Sequence, residues 1–399
     1  MAEAGVTPLE RAVSQHWDAI VIGAGPAGAL SATLLAREGL SVLLVERRAF
    51  PRRKVCGGCL NAQALAALAR AGLDERVRAL GATGVHALRL HQHARTAVIR
   101  LPPGLAVSRH ALDAALASAA EEAGCVFLAE TAASVVPEGD EPWREGWRRV
   151  SLRRPNGQSV MASARSIVVA DGLSHSSLGE CPSFHSRVSR TARVGVGGEA
   201  GPGTIALEPG SITMAVGRRG YVGAVEVESG RINIAAAIDP AFLKARGTAS
   251  SAVRAILAEA GIRASASLDR IDWMGTIPLT RRLSRPAARG VFVLGDAAGY
   301  VEPFTGEGMA WAFAGAEAVV PFVVRACGSP GAALDREWTR ALEHTLGRDQ
   351  RWCRLVASGL RQPALVTMLV AVLRRHPGFA APVLARFSPR NHPAPERTA

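Results

Sequence analysis

A glycine-rich turn near residue 25 separates a short apolar segment from a helix-forming one. Asp18 to Ile22 has the length and composition of a buried parallel strand, and Pro26 to Arg37 carries apolar residues along one side of a helix. Gly23, Gly25 and Gly28 follow the strand at G-x-G-x-x-G spacing. Glycine there permits a tight turn, lets backbone N–H groups approach a pyrophosphate and lets the helix pack on the strand. Because the positive helix end would face the phosphates, the segment predicts a dinucleotide-binding unit.

A carboxylate at the end of the next strand supports this interpretation. Ser41 to Val45 predicts a second strand, and Glu46 follows it about twenty residues after the turn. A carboxylate at that position can accept hydrogen bonds from ribose hydroxyls. The alternative is a strand–helix turn without a ligand, since glycine also marks ordinary turns. The turn residues that we expect to contact the cofactor are Gly23, Gly25, Ala27 and Gly28.

A second glycine-rich stretch near residue 300 completes the predicted cofactor site. Gly290 to Leu294 predicts a buried strand that delivers Gly295 and Asp296 at its carboxyl end. The Asp296 carboxylate can accept hydrogen bonds from a hydroxyl chain such as ribityl. A helix that begins after Gly306 would present free N–H groups, which stabilise negative charge on a reduced flavin. Since the sequence contains no second dinucleotide-binding motif, these residues favour FAD over NAD as the tightly bound cofactor.

The chain is long and apolar enough for two domains. It has 399 residues, of which 48% are hydrophobic and 20% charged, as in globular proteins. Short strand-like runs between glycine turns, such as Ser211 to Val216 and Arg231 to Ala237, predict an antiparallel sheet. We therefore predict an α/β fold with a Rossmann-like three-layer FAD-binding domain, an inserted antiparallel-sheet substrate domain and a helical C-terminal region. The predicted parts are a disordered extension at 1–16, the FAD-binding domain at 17–182 and 281–327, a substrate domain at 183–280 that the strand pair at 85–101 joins, and a C-terminal helical region with a loose tail at 328–399.

Charge and targeting signals limit the partners and the compartment. The net charge is +13, but Lys54 and Lys244 are the only lysines and arginine is spread along the whole chain. Without a nucleic-acid-binding motif, this composition predicts no nucleic-acid partner and suits an anionic cofactor or an acidic lipid surface. Met1 to Trp17 lacks the apolar core of a secretory signal, and apart from Cys56 and Cys59 the six cysteines are far apart in the sequence, so we expect a cytoplasmic protein with reduced thiols. Pro363 to Leu373 is apolar but too short to span a bilayer, which predicts a helix packed on the protein, with peripheral membrane contact as the alternative.

Five separated motifs carry a resemblance to a known flavoprotein group. They are Gly23 to Gly28 with Glu46, Lys54 to Gly58, Ser108 and Arg109 with Leu112, Asp171 and Gly172, and Gly295 to Met309. On these residues the chain resembles the group that contains para-hydroxybenzoate hydroxylase and the geranylgeranyl reductases, and it is more similar to the reductases. The resemblance covers residues 17 to 325 and leaves the C-terminal tail outside.

The resemblance implies roles for the residues that bind the nucleotide. Glu46 would bind the adenosine ribose, and Arg109 would bind the phosphate or ribityl region. Asp171 would lie near the pyrophosphate, and Asp296, with Gly295 before it, would hold the pyrophosphate and ribityl end. The alternatives are a solvated arginine at a helix start for Arg109 and a turn residue for Asp171.

The resemblance also implies which residues surround the flavin ring. Pro303 would lie against the isoalloxazine, and Gly308 and Met309 would offer backbone N–H groups near its N1 and O2 atoms. Cys56 and Gly57 would line the flavin pocket, where small residues let the backbone approach the ring. The predicted catalytic residues are Cys56, Pro303 and Gly306.

Cys56 and Cys59 also form a C-x-x-C pair, which has two other interpretations. The pair could be a redox-active dithiol or half of a zinc site. A zinc site needs a second pair of ligands, and the other four cysteines are isolated in the sequence, so we predict no metal. The dithiol stays open as an alternative to a flavin-pocket role for Cys56.

The predicted function is that of an FAD-dependent oxidoreductase acting on a hydrophobic small molecule. The nearer likeness implies geranylgeranyl-reductase-type reduction of an isoprenoid-like or polyketide-like substrate; the wider group implies an NAD(P)H-dependent monooxygenase that hydroxylates an aromatic or polyketide substrate. Trp273 to Pro278 is faintly similar to the tryptophan signature of flavin-dependent halogenases, but Gly275 stands where a second tryptophan is expected. A non-catalytic FAD carrier is a further alternative. The electrons would come from NAD(P)H or another external donor, such as an electron-donor protein.

Overall fold

The computed structural model describes residues 8–137, 146–302, 304, 306–329 and 333–384. Its helices are α1 (Pro8–Ser14), α2 (Pro26–Arg37), α3 (Ala62–Arg70), α4 (Asp74–Arg78), α5 (Arg109–Glu122), α6 (Pro240–Arg246), α7 (Ala249–Glu259), α8 (Gly308–Gly328), α9 (Ala333–Gly359), α10 (Pro363–Arg375) and α11 (Ala381–Leu384). Its strands are β1 (Trp17–Ile22), β2 (Val42–Val45), β3 (Cys59–Leu60), β4 (Thr83–Gln92), β5 (Arg95–Ala106), β6 (Val126–Leu128), β7 (Ala132–Val135), β8 (Arg148–Arg153), β9 (Ser159–Val169), β10 (Ser186–Val188), β11 (Val194–Ala200), β12 (Ser211–Gly217), β13 (Gly220–Glu226), β14 (Ile232–Ile238), β15 (Met274–Pro278), β16 (Arg281–Leu283), β17 (Ala287–Ala288), β18 (Val291–Val293) and β19 (Gly299–Tyr300).

The first sheet is the parallel sheet that the glycine-rich turn predicts. Its order is β17-β18-β9-β1-β2-β6, and the strands from β18 to β6 run parallel. Ala19, Ile20 and Val21 of β1 are completely buried, because helices cover one face of the sheet and the β7–β8–β9 meander covers the other. The carboxyl ends of β1, β2, β9 and β18 therefore meet at one edge, where ligands bind in open α/β sheets.

The second sheet has eight strands and holds most of the predicted insert. Its order is β15-β11-β14-β13-β12-β4-β5-β3. The β4–β5 hairpin, which spans the predicted strand pair at 85–101, lies in this sheet rather than in the first one. Helix α7 packs on the outer face through Val253, Ile256 and Leu257. The inner face turns toward the first sheet and forms the wall of a large cavity.

Three details differ from the sequence predictions. The insert is not wholly antiparallel, because β12 pairs with β4 in parallel; a long connection from β11, not a hairpin, brings β12 there. The predicted disordered extension at 1–16 contains α1, whose Leu9 and Ala12 pack against the first sheet. The described part of the predicted loose tail, residues 376–384, is not loose, since Ala380 and Leu384 pack into the cluster below α10; the rest of the predicted tail lies outside the described residues.

The C-terminal helices close the molecule over both sheets. Helix α8 contacts α2, α3 and α9, and the Trp338 indole N–H of α9 donates to the carbonyl of Val293 at 3.2 Å. The chain bends by 104° between α9 and α10, and α10 then packs on β4 and β5. Helix α8 has the length and apolar composition of a membrane span, and the bent pair α9–α10, taken as one segment, also has them. Half of the apolar α8 window is buried by the rest of the protein, as in a core helix, and its residues pack with α2, α3 and the first sheet.

Candidate active site

A cavity of about 1040 Å³ lies between the ligand-binding edge of the first sheet, the inner face of the second sheet and helices α8 to α10. The predicted site residues that line it are Gly23, Gly25, Ala27, Glu46, Cys56, Gly57, Arg109, Asp171, Gly295, Asp296, Gly306, Gly308 and Met309. Gly28 lies behind this wall, packed against the turn. Pro303 lies outside the described residues. The structure thus brings together segments that are almost 300 residues apart in the sequence.

The turn between β1 and α2 requires glycine at two of its three glycine positions. Gly23 has φ +100°, and a Cβ there would lie 2.5 Å from the carbonyl oxygen of Ala170. A Cβ on Gly28 would overlap the Gly23 carbonyl oxygen, so that α2 could not approach β1. Gly25 instead borders the cavity, and a Cβ there would lie 3.5 Å from the Arg109 guanidinium. The turn is therefore a cradle whose open side faces two arginines, Arg52 and Arg109.

Four buried charges form a network at this end of the cavity, which we call the nucleotide end. Glu46 accepts a hydrogen bond from the backbone N–H of Ala24 at 3.2 Å and pairs with Arg52 at 3.2 Å. Arg52 also pairs with Asp113 at 3.1 Å, and Arg109 donates two hydrogen bonds of 2.8 Å to the same carboxylate. Although burial opposes its charge, Asp113 and the Cys56 sulfur raise the pKa of Arg109 above its ordinary value. Arg109 is therefore a buried cation and not a solvated helix-start arginine.

Lys54 is a further buried basic side chain at the nucleotide end. Burial, with nearby Arg109, lowers the pKa of Lys54 from its ordinary value, and the Asp296 carboxylate opposes this shift. A Cβ on Gly172 would lie only 2.7 Å from the Lys54 Nζ, so glycine at this position leaves room for the lysine side chain. The Asp171 carboxylate before that glycine accepts the Ser177 N–H at 2.9 Å, and its other oxygen is buried without a hydrogen-bond partner. Burial raises the pKa of Asp171.

The cysteine–glycine loop, residues 54–59, crosses from the nucleotide end to the second sheet. Asn233 of β14 donates from its side-chain amide to the carbonyl of Cys56 at 2.9 Å. Gly58 has φ +74°, and a Cβ there would crowd that amide at 3.2 Å. A Cβ on Gly197 of β11 would meet Val55 at 3.0 Å, so glycine also lets the loop lie close to the sheet. The loop is thus fixed by the second sheet while its Cys56 faces the cavity.

The cysteine pair is present as two free thiols. Cys56 faces Arg109, and the Cys59 thiol donates to the Gly57 carbonyl at 3.4 Å. Burial raises the pKa of Cys59 to about 12, with a further contribution from Cys56. A dithiol reaction needs a thiolate, and this thiol stays protonated near neutral pH. The described residues hold no cluster of three or more His, Cys, Asp or Glu side chains suited to a metal ion.

The start of α8 borders the cavity opposite the cysteine–glycine loop. Gly306 has φ +77°, and a Cβ there would lie 3.7 Å from that of Cys59. Gly308 and Met309 follow in the first turn of α8, where backbone N–H groups have no partner within the helix. Glu307 is buried beside the Cys353 thiol of α9, which joins the helix start to the C-terminal helices.

The far part of the cavity, which we call the apolar end, is formed by alternate residues of the second sheet. Because successive strand residues point to opposite faces, one set from each strand lines the cavity while its neighbours pack beneath α7. The lining residues of this set are Leu88, Leu90, Ile99, Leu101, Ile212, Met214, Tyr221, Gly223, Val225, Ala235 and Ala237. The small residues Gly223 and Ala235 are paired across β13 and β14, which leaves a groove between larger neighbours.

Tyr221 and Tyr300 are the only tyrosines in the chain, and both line the cavity. The Tyr221 ring packs edge-on against Phe304, with 5.1 Å between ring centroids. Beneath it, Arg193 pairs with Glu302 at 3.1 Å and with Asp239 at 3.2 Å. Burial and the Glu302 carboxylate raise the pKa of Tyr221 well above its ordinary value, so its hydroxyl keeps its proton.

Sequence reasoning missed several residues of this site. They are Arg52, Asp113, Tyr221, Asn233 and Tyr300, and Lys54 was noticed only as part of the cysteine–glycine motif. Two features of the sequence could have indicated some of them. Asp113 follows Arg109 by one helical turn, and tyrosine occurs only twice in the chain. Trp273, noted for its likeness to a halogenase signature, packs against the outer core with α7 and is not among the cavity-lining residues.

The residues at the nucleotide end fit FAD. The cradle at Gly25 is bordered by two buried guanidinium groups, and the Arg52 Nε and one Asp171 oxygen are buried without hydrogen-bond partners. Such atoms suit the pyrophosphate and hydroxyl groups of a dinucleotide. The apolar end continues from this site and leaves room for a second molecule. This combination of fold and site defines a flavin-dependent oxidoreductase.

Comparison with known proteins places the chain within a family. The family described as "FAD binding domain" matches residues 16–320, and the chain belongs to it. Menaquinone reductase of Mycolicibacterium smegmatis is 30% identical over 324 residues, which cover 73% of this chain and 72% of that protein. Digeranylgeranylglycerophospholipid reductase 2 of Methanothermobacter thermautotrophicus is 28% identical, covering 73% and 74%. The protein is thus an FAD-dependent oxidoreductase with reductase-named relatives.

Solved structures with the same fold have more varied activities. A geranylgeranyl bacteriochlorophyll reductase-like protein of Thermoplasma acidophilum superposes with a TM-score of 0.77 at 17% identity, over 94% of this chain and 96% of that one. The flavin-dependent brominase Bmp2 gives a TM-score of 0.78 at 16% identity, over 94% and 93%. At these identities the likeness establishes the fold, and the reaction has to be argued from the site.

Proposed function

We propose that this protein uses reduced FAD to saturate a carbon–carbon double bond in a long isoprenoid chain. The observation that carries the proposal is the separation of charge in the cavity. Among the described lining residues, none of the charged ones is on a strand of the second sheet; they are Glu46, Arg47, Arg48, Arg52, Arg53, Lys54, Arg109, Asp171 and Asp296. The wall formed by the second sheet carries no charged residue and is apolar apart from Tyr221, Thr276 and the Cys59 thiol. Such a wall suits an uncharged, elongated hydrocarbon, because burying a charge there without a partner would be costly.

The names of the relatives support the same substrate class. Menaquinone and digeranylgeranylglycerophospholipid, in the names of two relatives that align over about three quarters of their length, both carry polyisoprenoid chains. A groove over Gly223 and Ala235 would receive the methyl-branched chain, with Leu90 and Met214 at its sides. NAD(P)H or an electron-donor protein would supply the electrons.

Saturation of a double bond requires a hydride and a proton. When bound, reduced FAD supplies the hydride. The chain's own contribution would be the proton at the Tyr221 hydroxyl, which burial and Glu302 keep protonated. The neighbouring Arg193 neutralises Glu302 and stacks its guanidinium 5.7 Å from the Tyr221 ring centroid. Closure of the cavity by α8 to α10 would exclude water and oxygen from the reduced cofactor.

The test is an anaerobic single turnover with the purified FAD-loaded protein. The flavin is reduced with dithionite, and menaquinone or a geranylgeranyl glycerolipid is added in detergent. We expect the flavin absorbance to return and the isoprenoid chain of the product to gain two hydrogen atoms. Fragment masses recorded after reoxidation of any quinol in air locate them, because reduction of the quinone ring also adds two hydrogen atoms. A product that instead gains one oxygen atom, and only in air with NAD(P)H, would support the monooxygenase alternative and overturn the proposal, as would the absence of turnover with both lipids.

A pair of variants separates the apolar end from general effects. Ala235→Phe should fill the groove and abolish turnover of the long substrate while the FAD content stays unchanged. Ala258→Phe places the same side chain on the exposed surface of α7 and should turn over as the wild type does. Equal activity of the two variants would show that the substrate does not bind in the groove.

A further inference from the structure

An exposed apolar surface surrounds the mouth of the cavity. Leu365, Met368, Leu369 and Val372 lie on one face of α10, and Phe379 follows the helix; we call these five residues the α10 patch. Their side chains are 38–67% exposed. They are five of the twelve large hydrophobic side chains that the described residues expose. Single exposed apolar residues are common on protein surfaces, but a contiguous cluster marks a site of interaction.

The α10 sequence has two apolar faces, of which the fold uses one. Val366, Val370 and Leu373 are buried against β4 and β5 and anchor the helix on the second sheet. The patch residues 365, 368, 369 and 372 follow the i, i+3, i+4, i+7 spacing of a second stripe. Among the described residues, packing of α10 on the protein therefore does not account for the patch.

The charge around the patch indicates what it contacts. Arg374 and Arg375 are exposed at the end of α10, just after the patch residues of that helix. The sequence contains no Asp or Glu from residue 350 to residue 395. An apolar stripe with arginines and no acids matches the surface of an anionic lipid bilayer, whose acyl region accepts the apolar residues while its headgroups pair with the cations.

The patch is also continuous with the interior of the site. Leu365, Met368, Leu369 and Phe379 are exposed on the outside and at the same time line the cavity. A bilayer in contact with this face would meet the cavity mouth without an intervening water layer. We therefore propose that the α10 patch docks the protein on an anionic membrane surface. That this contact also delivers the substrate rests on the proposed function; the docking itself does not.

The experiment measures binding of the FAD-loaded full chain to vesicles, without electron transfer. Vesicles of phosphatidylcholine with phosphatidylglycerol should sediment the wild-type protein at low salt, and vesicles of phosphatidylcholine alone should sediment less of it. Met368→Glu with Leu369→Glu should lower the partition coefficient at least about tenfold, because both residues leave the acyl region and add repelling charge. Arg374→Gln with Arg375→Gln should lower it about fivefold for each arginine, the equivalent of about 1 kcal/mol per charge.

Met161→Glu is the matched control, since Met161 is exposed on β9, outside the patch, and 43% accessible. Its binding should equal that of the wild type. No sedimentation of the wild type with anionic vesicles, or equal binding of all variants, would overturn the proposal. So would self-association without lipid, seen by sedimentation velocity and lost in Met368→Glu with Leu369→Glu, because the patch would then hold a second copy. Since no redox step is measured, failure here leaves the proposed reductase activity standing, and the converse also holds.

Discussion

Substitution of Arg193 tests how much its buried ion pairs, which lie beneath Tyr221 at the apolar end of the cavity, contribute to the free energy of unfolding. Its side chain is 1% exposed and pairs with Glu302, which is also 1% exposed, and with Asp239. Arg193→Met keeps the apolar stem but removes the charge between two carboxylates. Arg361 then lies 3.7 Å from Glu302 and is the nearest remaining cation given by the described ion pairs. Arg361 also lies 3.7 Å from Asp239. Removing one partner of a buried ion pair costs about 3–5 kcal/mol, and the longer contacts of the partly exposed Arg361 do not replace the 3.1 Å pair that Glu302 loses.

The chain offers an internal control on the same carboxylate. Arg219 approaches Asp239 at 4.0 Å, but its side chain is 66% exposed. Exposed pairs contribute at most about 1 kcal/mol, so Arg219→Met should be close to the wild type in stability. Both variants remove an arginine from Asp239; Arg193 is buried and also pairs with Glu302, whereas Arg219 is exposed and does not.

The assay is thermal unfolding followed by circular dichroism. With an unfolding entropy of roughly 2.1 cal/mol/K per residue, the 399 residues give about 0.8 kcal/mol/K. The loss at Arg193 then lowers the melting temperature by about 4–6 °C, and the loss at Arg219 by about 1 °C at most. A decrease for Arg193→Met no larger than that for Arg219→Met would refute the reasoning that burial gives this network its strength.

Three further predictions concern the cofactor, the proton and pH. Glu46→Gln should raise the Kd for FAD roughly 10–150-fold in a titration of apoprotein, since a charge-assisted hydrogen bond contributes about 1.5–3 kcal/mol; Glu38→Gln, on the exposed end of α2, should leave it unchanged. Tyr221→Phe should lower kcat for isoprenoid reduction about 100-fold or more without changing FAD affinity, and it should alter the pH profile; an unchanged rate and profile would exclude Tyr221 as the proton source. Burial raises the pKa of Cys125 from 9.0 to about 12. Because the unfolded thiol loses its proton first, the free energy of unfolding should fall as pH rises from 9 to about 12, and the fall should be shallower in Cys125→Ala by urea titration.

The parts of the fold that local sequence determines could be predicted closely. Gly23, Gly28 and Glu46 belong to one strand–turn–helix–strand segment, in which backbone sterics admit few alternatives. The strand predicted at Ser211 to Val216 runs from Ser211 to Gly217 in the structure, one residue longer than predicted. Its ends are predicted well because Gly210 precedes the strand and Gly217 is its last residue. The β4–β5 hairpin was longer than predicted: its turn at His93 and Ala94 has positive φ without the Asn-Gly or Asp-Gly signal.

The parts that depend on distant segments could not be predicted in the same way. Asn233 looks like an ordinary strand residue until the fold brings it to the carbonyl of Cys56, 177 positions away in the sequence. The parallel pairing of β12 with β4 is likewise set by the packing of the whole insert. The raised pKa of Tyr221 could not be predicted from the sequence, since it comes from burial and from Glu302, which only the fold brings close to it.

The attachment of the cysteine–glycine loop to β14 links the two ends of the cavity thermodynamically. A ligand that moves Asn233 also moves the Cys56 carbonyl, and with it the thiol that faces Arg109. Occupancy of the apolar end and retention of the dinucleotide then share one coupling free energy, and each must change the affinity for the other by the same factor. We therefore expect a ligand at the apolar end that displaces Asn233 to change the spectrum of bound flavin, even when no reaction takes place.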